Sequence, residues 1–171
     1  MDSGTPREHA DRLTLVPVGA GTWRGVASLE VAEAQRAFVA EPAYYLALCA
    51  YDGLWNPLAV RLGERVIGFM MWAVDPDDGS CWLGGILIDR RHQGRGHGRR
   101  AVEAALAMLL GEGGHRRFAL SYRPDNPARR LYLGLGFEET AETEGDEVVA
   151  RLTLARDAAQ RSGAVPPRQP V

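Results

Sequence analysis

The sequence has 171 residues, of which 46% are hydrophobic and 25% are charged. This length suits one domain, and the composition argues against a disordered, collagenous or coiled-coil chain. Twenty basic residues against twenty-two acidic ones give a net charge of −2, and every basic residue is arginine. A protein that holds nucleic acid mainly by charge is usually strongly basic, so we expect no nucleic-acid partner. Because lysine is absent, Schiff-base catalysis by lysine and a P-loop are excluded.

The two cysteines, Cys49 and Cys81, stand far apart in the sequence. Their spacing carries no zinc or disulfide signature, so we expect no metal site and a reducing, cytoplasmic location. No apolar run reaches the roughly 18 residues of a membrane helix, and the polar N-terminus lacks the core of a signal peptide, so no membrane association is predicted. The composition predicts a flexible leader over 1–11, one domain over 12–156 and a disordered tail over 157–171.

Strand-like and helix-like patterns alternate between the two ends, which predicts an α/β or α+β domain. A first strand is expected at Leu13–Val18, and Thr22 can cap a helix that continues to about Phe38. Pro42 suits the first turn of a second helix, and Gly84-Gly85 predicts a bulge in its strand. The later strands are predicted at Leu58–Leu62, Val66–Val74, Cys81–Ile88, Arg117–Tyr122, Glu138–Thr143 and Val148–Leu154, and the later helices at Gly98–Leu110 and Pro127–Leu135.

A glycine-spaced turn joins the strand that ends at Ile88 to the next helix. Glycine at alternate positions lets backbone N–H groups approach a ligand, and the helix adds its own unpaired N–H groups and the positive end of its dipole. The turn therefore predicts an anion site for a phosphate or diphosphate, to which Arg95, Arg99 and Arg100 can add charged contacts. A dinucleotide-binding fingerprint is excluded because Arg99 stands where its last glycine would be.

Two segments resemble the GCN5-related N-acetyltransferases. Their Q/R-x-x-G-x-G/A diphosphate loop is matched by Gln93-Gly94-Arg95-Gly96-His97-Gly98. Their LYxxLGF segment resembles Leu131-Tyr132-Leu133-Gly134-Leu135-Gly136-Phe137. The resemblance covers about residues 12–155, in the family's order of elements. It implies a mixed, mostly antiparallel sheet flanked by helices, whose two central strands, around Leu83–Ile88 and Arg117–Tyr122, splay apart to admit a cofactor.

The resemblance implies that the cofactor is acetyl-CoA. The backbone of Ile86, Leu87 and Ile88 is then expected to pair with the pantetheine arm of coenzyme A. The loop amides are expected to hold the diphosphate. The cofactor-binding residues implied for the loop are Gln93, Gly94, Arg95, Gly96, His97, Gly98 and Arg99.

Tyr132 matches the family position of the acid that protonates the departing thiolate. Helical periodicity alone would make the same tyrosine a core aromatic residue. The family's usual asparagine stands seven residues before this tyrosine, where this chain has Asp125, and Asn126 follows. Asn126 is therefore expected either to bind the coenzyme A arm or to cap the helix, and Arg129 either to reach the coenzyme phosphates or to face solvent.

A narrower similarity links four segments to the bacterial diamine and spermine/spermidine acetyltransferase branch. It implies acetyl transfer to a primary amine of a small molecule, most simply a polyamine such as spermidine or spermine. Because separated ammonium groups suit carboxylates and aromatic faces, we expect Glu30, Glu33 and Tyr122 to bind the acceptor. The segments are Phe38-Val39-Ala40, Val74-Asp75-Pro76-Asp77-Asp78-Gly79, Ile88-Asp89 and Leu120-Ser121-Tyr122-Arg123-Pro124.

Several alternatives stay open at this point. The acceptor could be an aminoglycoside, an amino acid or a protein N-terminus, and the chain could instead be a noncatalytic acyl-CoA-binding module. The base for the amine is open among Glu30, Glu33 and Asp89, acting through water. A homodimer is an alternative to a monomer, because domains of this kind often pair through sheet edges.

Overall fold

The computed structural model describes residues 12–155. The predicted leader over 1–11 and the predicted tail over 157–171 lie outside the described residues. The strands are β1 (Leu13–Pro17), β2 (Asn56–Leu62), β3 (Arg65–Val74), β4 (Cys81–Ile88), β5 (Arg117–Tyr122), β6 (Glu138–Glu144) and β7 (Glu147–Thr153). The helices are α1 (Trp23–Ala27), α2 (Pro42–Asp52), α3 (His97–Gly113) and α4 (Arg129–Gly134), with 3₁₀ turns at Glu33–Gln35 and Arg90–His92.

The strands form one seven-stranded sheet in the order β1-β2-β3-β4-β5-β7-β6. Its neighbours are antiparallel except β4 and β5, which are parallel. These two strands pair only at Cys81 with Phe118 and Trp82 with Ala119, and they separate beyond that point. The predicted α/β (α+β) class, with a mostly antiparallel sheet and splayed central strands, is confirmed. The separation leaves a cleft along the second half of β4.

A β-bulge bends β4 beside this cleft. Phe69 of β3 pairs with Leu87 and Met71 pairs with Gly84, so β4 uses one residue more than β3 over this interval. Gly85 has a φ of 59°, a region that favours glycine. A Cβ at Gly85 would also lie 3.1 Å from the ring of Phe69. The predicted bulge at Gly84-Gly85 is therefore confirmed, and both conformation and space require the second glycine.

Helices cover both faces of the sheet, as strand alternation requires. Residues of α1 and α2 pack with Phe69 and Leu87 on one face, and α3 and α4 pack with Phe118 and Leu120 on the other. The buried stripe of α3, which includes Val102, repeats at helical spacing. No helix in the described range is long and apolar enough to cross a membrane.

The predicted helix from Thr22 to about Phe38 is wrong. Helix α1 ends at Ala27, and the 3₁₀ turn at 33–35 is all the regular structure that follows before α2. The cause is tertiary: the N–H of Glu30 donates to the Asp89 carboxylate at 3.2 Å, and the Glu30 carbonyl accepts from the N–H of Arg90 at 2.6 Å. These bonds hold the chain against the end of β4 and take it out of the helix. The Thr22 side chain accepts from the N–H of Gly19 and does not cap α1.

Candidate active site

A cavity of about 960 Å³ opens where β4 and β5 separate. Its walls come from β4 and the loop that follows, the end of β5, the start of α4, helix α2 and the turn between β6 and β7. The volume lies in the range of natural small-molecule sites. The cavity therefore joins the predicted anion loop to Tyr132 in a single space.

The loop at one end of the cavity is built to hold an anion. Gly94 and Gly96 have φ values of 71° and 77°, and a Cβ at either would meet no atom within 4 Å. The N–H of Arg100 makes the first intrahelical bond of α3, to the carbonyl of Gly96 at 3.1 Å. The preceding N–H groups of this 17-residue helix have no intrahelical partner, and no side chain caps them. Open backbone at positive φ followed by a long helix fits a diphosphate.

Two side chains fix the beginning of this loop. Gln93 donates from Nε2 to the carbonyl of Ile88 at 2.7 Å and to Oε1 of Gln35 at 2.6 Å. Asp89 is 1% exposed and accepts bonds from the N–H groups of Arg91 and Glu30 and from the Arg91 guanidinium. The guanidinium and these N–H groups lower the pKa of Asp89 to about 2. Asp89 is therefore a structural anion, which does not suit the base role considered for it.

Tyr132 lies deep in the cavity wall. Its side chain is 8% exposed, and its ring stacks on Tyr122 with centroids 5.4 Å apart. Burial first, and then the nearby Tyr122, Tyr45 and Glu147, raise the pKa of Tyr132 above its usual range. The hydroxyl makes no hydrogen bond to another residue in 12–155. It is a protonated donor without a partner at the cavity, which suits an acid.

The opposite end of the cavity combines aromatic rings and carboxylates. Tyr45 and Trp55 lie against the two β4 glycines: a Cβ at Gly84 would be 3.2 Å from the Trp55 ring, and one at Gly85 would be 3.3 Å from the Tyr45 ring. Carboxylates join this wall from the β3–β4 turn and from the β6–β7 turn, and they are Asp75, Glu144 and Glu147.

The family model described as the acetyltransferase (GNAT) family matches residues 23–137. The chain belongs to this acetyltransferase family. A spermine/spermidine N(1)-acetyltransferase of Bacillus subtilis (strain 168) is 28% identical over 106 residues, which are 57% of this chain and 70% of that protein. The chain is an N-acetyltransferase, and its cofactor is acetyl-CoA. The open glycine loop, the α3 N-terminus and the free edge of β4 fit that cofactor.

Solved structures show the same fold at lower identity. A spermidine N-acetyltransferase from Vibrio cholerae, solved with CoA and spermine, has a TM-score of 0.64 at 21% identity and covers 83% of this chain and 94% of its own. An aminoglycoside acetyltransferase solved with coenzyme A has a TM-score of 0.65 at 19% identity and covers 88% of this chain and 99% of its own.

Most residues predicted for the acetyl-CoA site do line the cavity of the acetyltransferase. The β4 segment Ile86–Ile88 lines it, and Asn126, Tyr122 and Tyr132 lie in its wall. The loop residues that line it are Gln93, Gly94, Gly96, Gly98 and Arg99. Arg99 is also held in place, because its guanidinium donates to the carbonyl of Gly134 at 2.9 Å.

No side chain caps α4, whose N-cap position is Ala128, so the cap predicted for Asn126 is not formed, and Asn126 lies in the cavity wall. Its Oδ1 accepts from the N–H of Ala128 at 2.9 Å, at the entry to α4. Arg129 neither lines the cavity nor faces solvent freely: it binds Glu139 with two bonds, of 2.6 and 2.9 Å. The Tyr122 hydroxyl donates to the same carboxylate at 3.0 Å, so Tyr122 offers the cavity only its ring. Burial and this carboxylate raise the pKa of Tyr122 to about 12.

Four further predicted residues lie outside the cavity lining. Glu30 forms an exposed ion pair with Arg90 at 2.8 Å, and Glu33 forms one with Arg36 at 3.3 Å. The prediction that Glu30 and Glu33 bind the acceptor does not agree with the structure. The helix expected to carry them ends at Ala27, and both lie outside the cavity. Arg95 is exposed on the loop. His97 is 8% exposed beneath it, with no hydrogen bond to its Nδ1.

Sequence reasoning missed Glu144, Glu147 and Ser121. They meet because β7 inserts between β5 and β6, which places the β6–β7 turn beside the end of β5. The only local signal is a pair of glutamates that flank the turn residues Gly145 and Asp146. Such a pattern is usual for a solvated hairpin, so it does not by itself indicate a site.

Proposed function

We propose that this acetyltransferase acts on a small alkylamine with more than one ammonium group, such as spermidine, spermine or a diamine. The observation that carries the proposal is the wall opposite the diphosphate loop, where aromatic rings and three carboxylates face one cavity. Rings and carboxylates are the groups that bind ammonium ions on a flexible chain. The names of the Bacillus subtilis relative and of the Vibrio cholerae structure support the same acceptor class.

The β4 glycines give this wall its shape. Because Gly84 and Gly85 have no side chains, Trp55 and Tyr45 pack directly against the strand. The two rings thus line the same cavity as the carboxylates of the two turns. A chain of methylene groups with an ammonium group at each end matches these rings and carboxylates, since its apolar middle can cover the rings and its charged ends can bind the carboxylates.

The residues of the chain would divide the chemistry between them. Acetyl-CoA, when bound, supplies the acyl group as a thioester. The amides of Gly94 to Arg99 and the α3 N-terminus would hold its diphosphate, and the free edge of β4 would align its arm. Tyr132 holds the proton that the departing sulfur needs. Holding both substrates in attack geometry can lower the barrier by about 7–11 kcal/mol.

An amine panel tests the proposal. The enzyme would be supplied with acetyl-CoA and with spermidine, spermine, 1,4-diaminobutane, n-butylamine, an aminoglycoside, an amino acid or a peptide N-terminus, and thiol release would be measured. We expect the highest kcat/KM with a polyamine or diamine, and a lower value with n-butylamine. A higher value with the aminoglycoside, the amino acid or the peptide would refute the polyamine assignment, while thiol release itself would still report acetyl transfer.

A further inference from the structure

Acetylation of an ammonium group needs a base, and strand β4 supplies none. Its sequence, CWLGGILI, has no carboxylate or imidazole, and burial raises the pKa of the Cys81 thiol to about 11. The carboxylates considered from sequence are also engaged elsewhere. Asp89 is buried in hydrogen bonds, and Glu30 and Glu33 form ion pairs outside the cavity. The base must therefore come from another wall.

Glu147 is a half-buried carboxylate of that cavity with unused hydrogen-bonding capacity. The Ser121 Oγ lies 2.5 Å from Oε2 of Glu147 and 3.3 Å from Oε2 of Glu144. One hydroxyl has one proton, so it leaves most lone pairs of the two carboxylates without a donor. Neither glutamate forms an ion pair within 12–155. The neighbouring Arg123 binds Asp125 at 3.2 Å and Asp146 at 3.7 Å instead.

A second, independent observation comes from Tyr132 in the same cavity. This side chain is more than nine-tenths buried, and its hydroxyl has no partner among the described residues. A donor at a cavity wall that no other residue of 12–155 satisfies indicates a place for a polar ligand. Burial is the largest cause of the raised pKa of Tyr132 and of Tyr45, and the charge of Glu147 adds a smaller contribution to both, so the carboxylate lies within electrostatic reach of the acid.

We propose that Glu147 binds the ammonium group that is to be acetylated and accepts its proton. The inference rests on the proposed amine acetylation, but it does not require the amine to be a polyamine. The nitrogen loses two protons on becoming an amide. The first goes to Glu147 and then to solvent. As the C–N bond forms and the C–S bond breaks, Tyr132 protonates the sulfur, and the second proton from nitrogen replaces the one on Tyr132 through solvent.

The central variant is Glu147→Gln, compared with Glu138→Gln as a matched control. The glutamine keeps an oxygen that can accept from Ser121, so we expect the fold to persist. Glu138 is an exposed glutamate of β6 outside the cavity lining. With spermidine, we expect Glu147→Gln to lower kcat/KM at pH 7 by about 10²-fold, with coenzyme A affinity unchanged. Glu138→Gln should remain within about twofold of the original enzyme, since it contacts no substrate.

The pH profile separates a base from a merely structural residue. Without a base, the rate should follow the free amine and rise about tenfold per pH unit up to the amine pKa near 10. With Glu147 as the base, the rate of the original enzyme should instead change little with pH below the pKa of the amine. Ser121 on β5 contacts Glu147, and Glu144 on β6 shares that hydroxyl. Tyr45 on α2 and Tyr132 on α4 lie within electrostatic reach of Glu147. Glu144→Gln should keep the flat profile.

Parallel pH profiles for the original enzyme and Glu147→Gln, or a kcat/KM within threefold of the original, would overturn the assignment. An equal loss of coenzyme A affinity would do so too, because it would indicate a structural defect. Glu147→Asp, which keeps the charge, should recover part of the activity. If spermidine is not acetylated but n-butylamine or another amine is, the polyamine proposal fails, and the same variants tested with that amine still decide the role of Glu147.

Discussion

The hydroxyl of Tyr132 combines two features that an acid in this position needs. Burial keeps the proton on the oxygen throughout the usual assay range, because it raises the pKa further above neutrality. The ring is held by stacking on Tyr122 and by edge contact with Phe137, so the hydroxyl stays at the cavity without a hydrogen bond to fix it. Ring contacts with Tyr122 and Phe137 therefore set the position of the hydroxyl, and burial is the largest influence on its protonation state.

Tyr132→Phe should separate these two features. The ring contacts remain and the donor is lost, so we expect kcat to fall by about 10²–10⁴-fold with little change in coenzyme A affinity. Steady-state kinetics and calorimetry with coenzyme A measure the two quantities. Tyr122→Phe is the matched control, because it removes a hydroxyl that binds Glu139. It should lower the melting temperature and leave kcat close to that of the original enzyme. Unchanged turnover in Tyr132→Phe would remove the hydroxyl from the reaction.

The lowered pKa of Asp89 leads to a prediction about how the stability of the fold depends on pH. Its pKa of about 2 in the folded protein lies below the ordinary value near 4 in an unfolded chain. The stabilisation that the carboxylate provides is therefore complete above about pH 4 and is lost as the pH falls toward 2. Asp89→Asn should lower the melting temperature at pH 7, and the difference from the original should shrink between pH 4 and pH 2.

Thermal melts over this pH range test the claim, with Asp77→Asn as the comparison. Asp77 lies exposed in the β3–β4 turn, and its carboxylate contributes no hydrogen bond within the described part of the chain. Loss of the Asp77 carboxylate should change the melting temperature little at any pH. A constant difference between Asp89→Asn and the original across the range would mean that charge on Asp89 does not stabilise the loop.

At the scale of elements, the anion loop depends on backbone conformation. Gly96 has a positive φ and open space beyond its Cα, so a side chain there costs backbone strain, of the order of 1 kcal/mol, without a clash. Gly96→Asp should nevertheless reduce coenzyme A affinity by at least tenfold, because a carboxylate would stand where the diphosphate binds. Isothermal titration with coenzyme A measures the loss.

Gly53→Asp provides a matched control for this loop. Gly53 has a φ of 74° and open space as well, but it ends α2 away from the loop. Both variants should lose a similar, small amount of thermal stability, and only Gly96→Asp should lose affinity. Equal affinities in the two variants would contradict a diphosphate site at Gly96.

The elements that sequence could predict are those determined locally. The glycine-spaced loop and the β4 bulge follow from conformations that few other residues adopt. Helix α3 starts one residue before its predicted beginning and continues through Gly113, where Gly114 in left-handed conformation ends it. The first helix fails because bonds from Asp89 and Arg90, distant in sequence, override the local helical pattern.

At the scale of the whole molecule, the glycine loop that fits a diphosphate could be predicted from the sequence, and the glutamates that line the acceptor wall could not. The loop lies within one strand–turn–helix segment, so its motif and its geometry coincide. The acceptor wall instead gathers Tyr45 from α2, Asp75 from a turn and Glu147 from the β6–β7 hairpin. Which glutamates face the cavity depends on strand order across the sheet, and no spacing in the chain encodes it. Dimer formation likewise stays a prediction.

The distribution of charge over the cavity leads to a last prediction. The net charge of −2 is small, so attraction of a polycation must come from the local carboxylates and not from the chain as a whole. Charges separated by more than about 10 Å are largely screened at 0.1 M salt. On the proposed function, a polyamine would reach several carboxylates at once, whereas n-butylamine would reach one.

Raising the NaCl concentration to about 0.5 M should therefore increase KM for spermidine several-fold and KM for n-butylamine much less. The KM for acetyl-CoA, measured at the same salt concentrations, is the control for the effect of salt on binding at the diphosphate loop. In Glu144→Gln the salt dependence for spermidine should weaken, because this variant removes one of the carboxylates proposed to bind its distal ammonium groups. Equal salt dependence for the two amines would mean that the acceptor wall binds a single ammonium group, and the substrate would then be a monoamine.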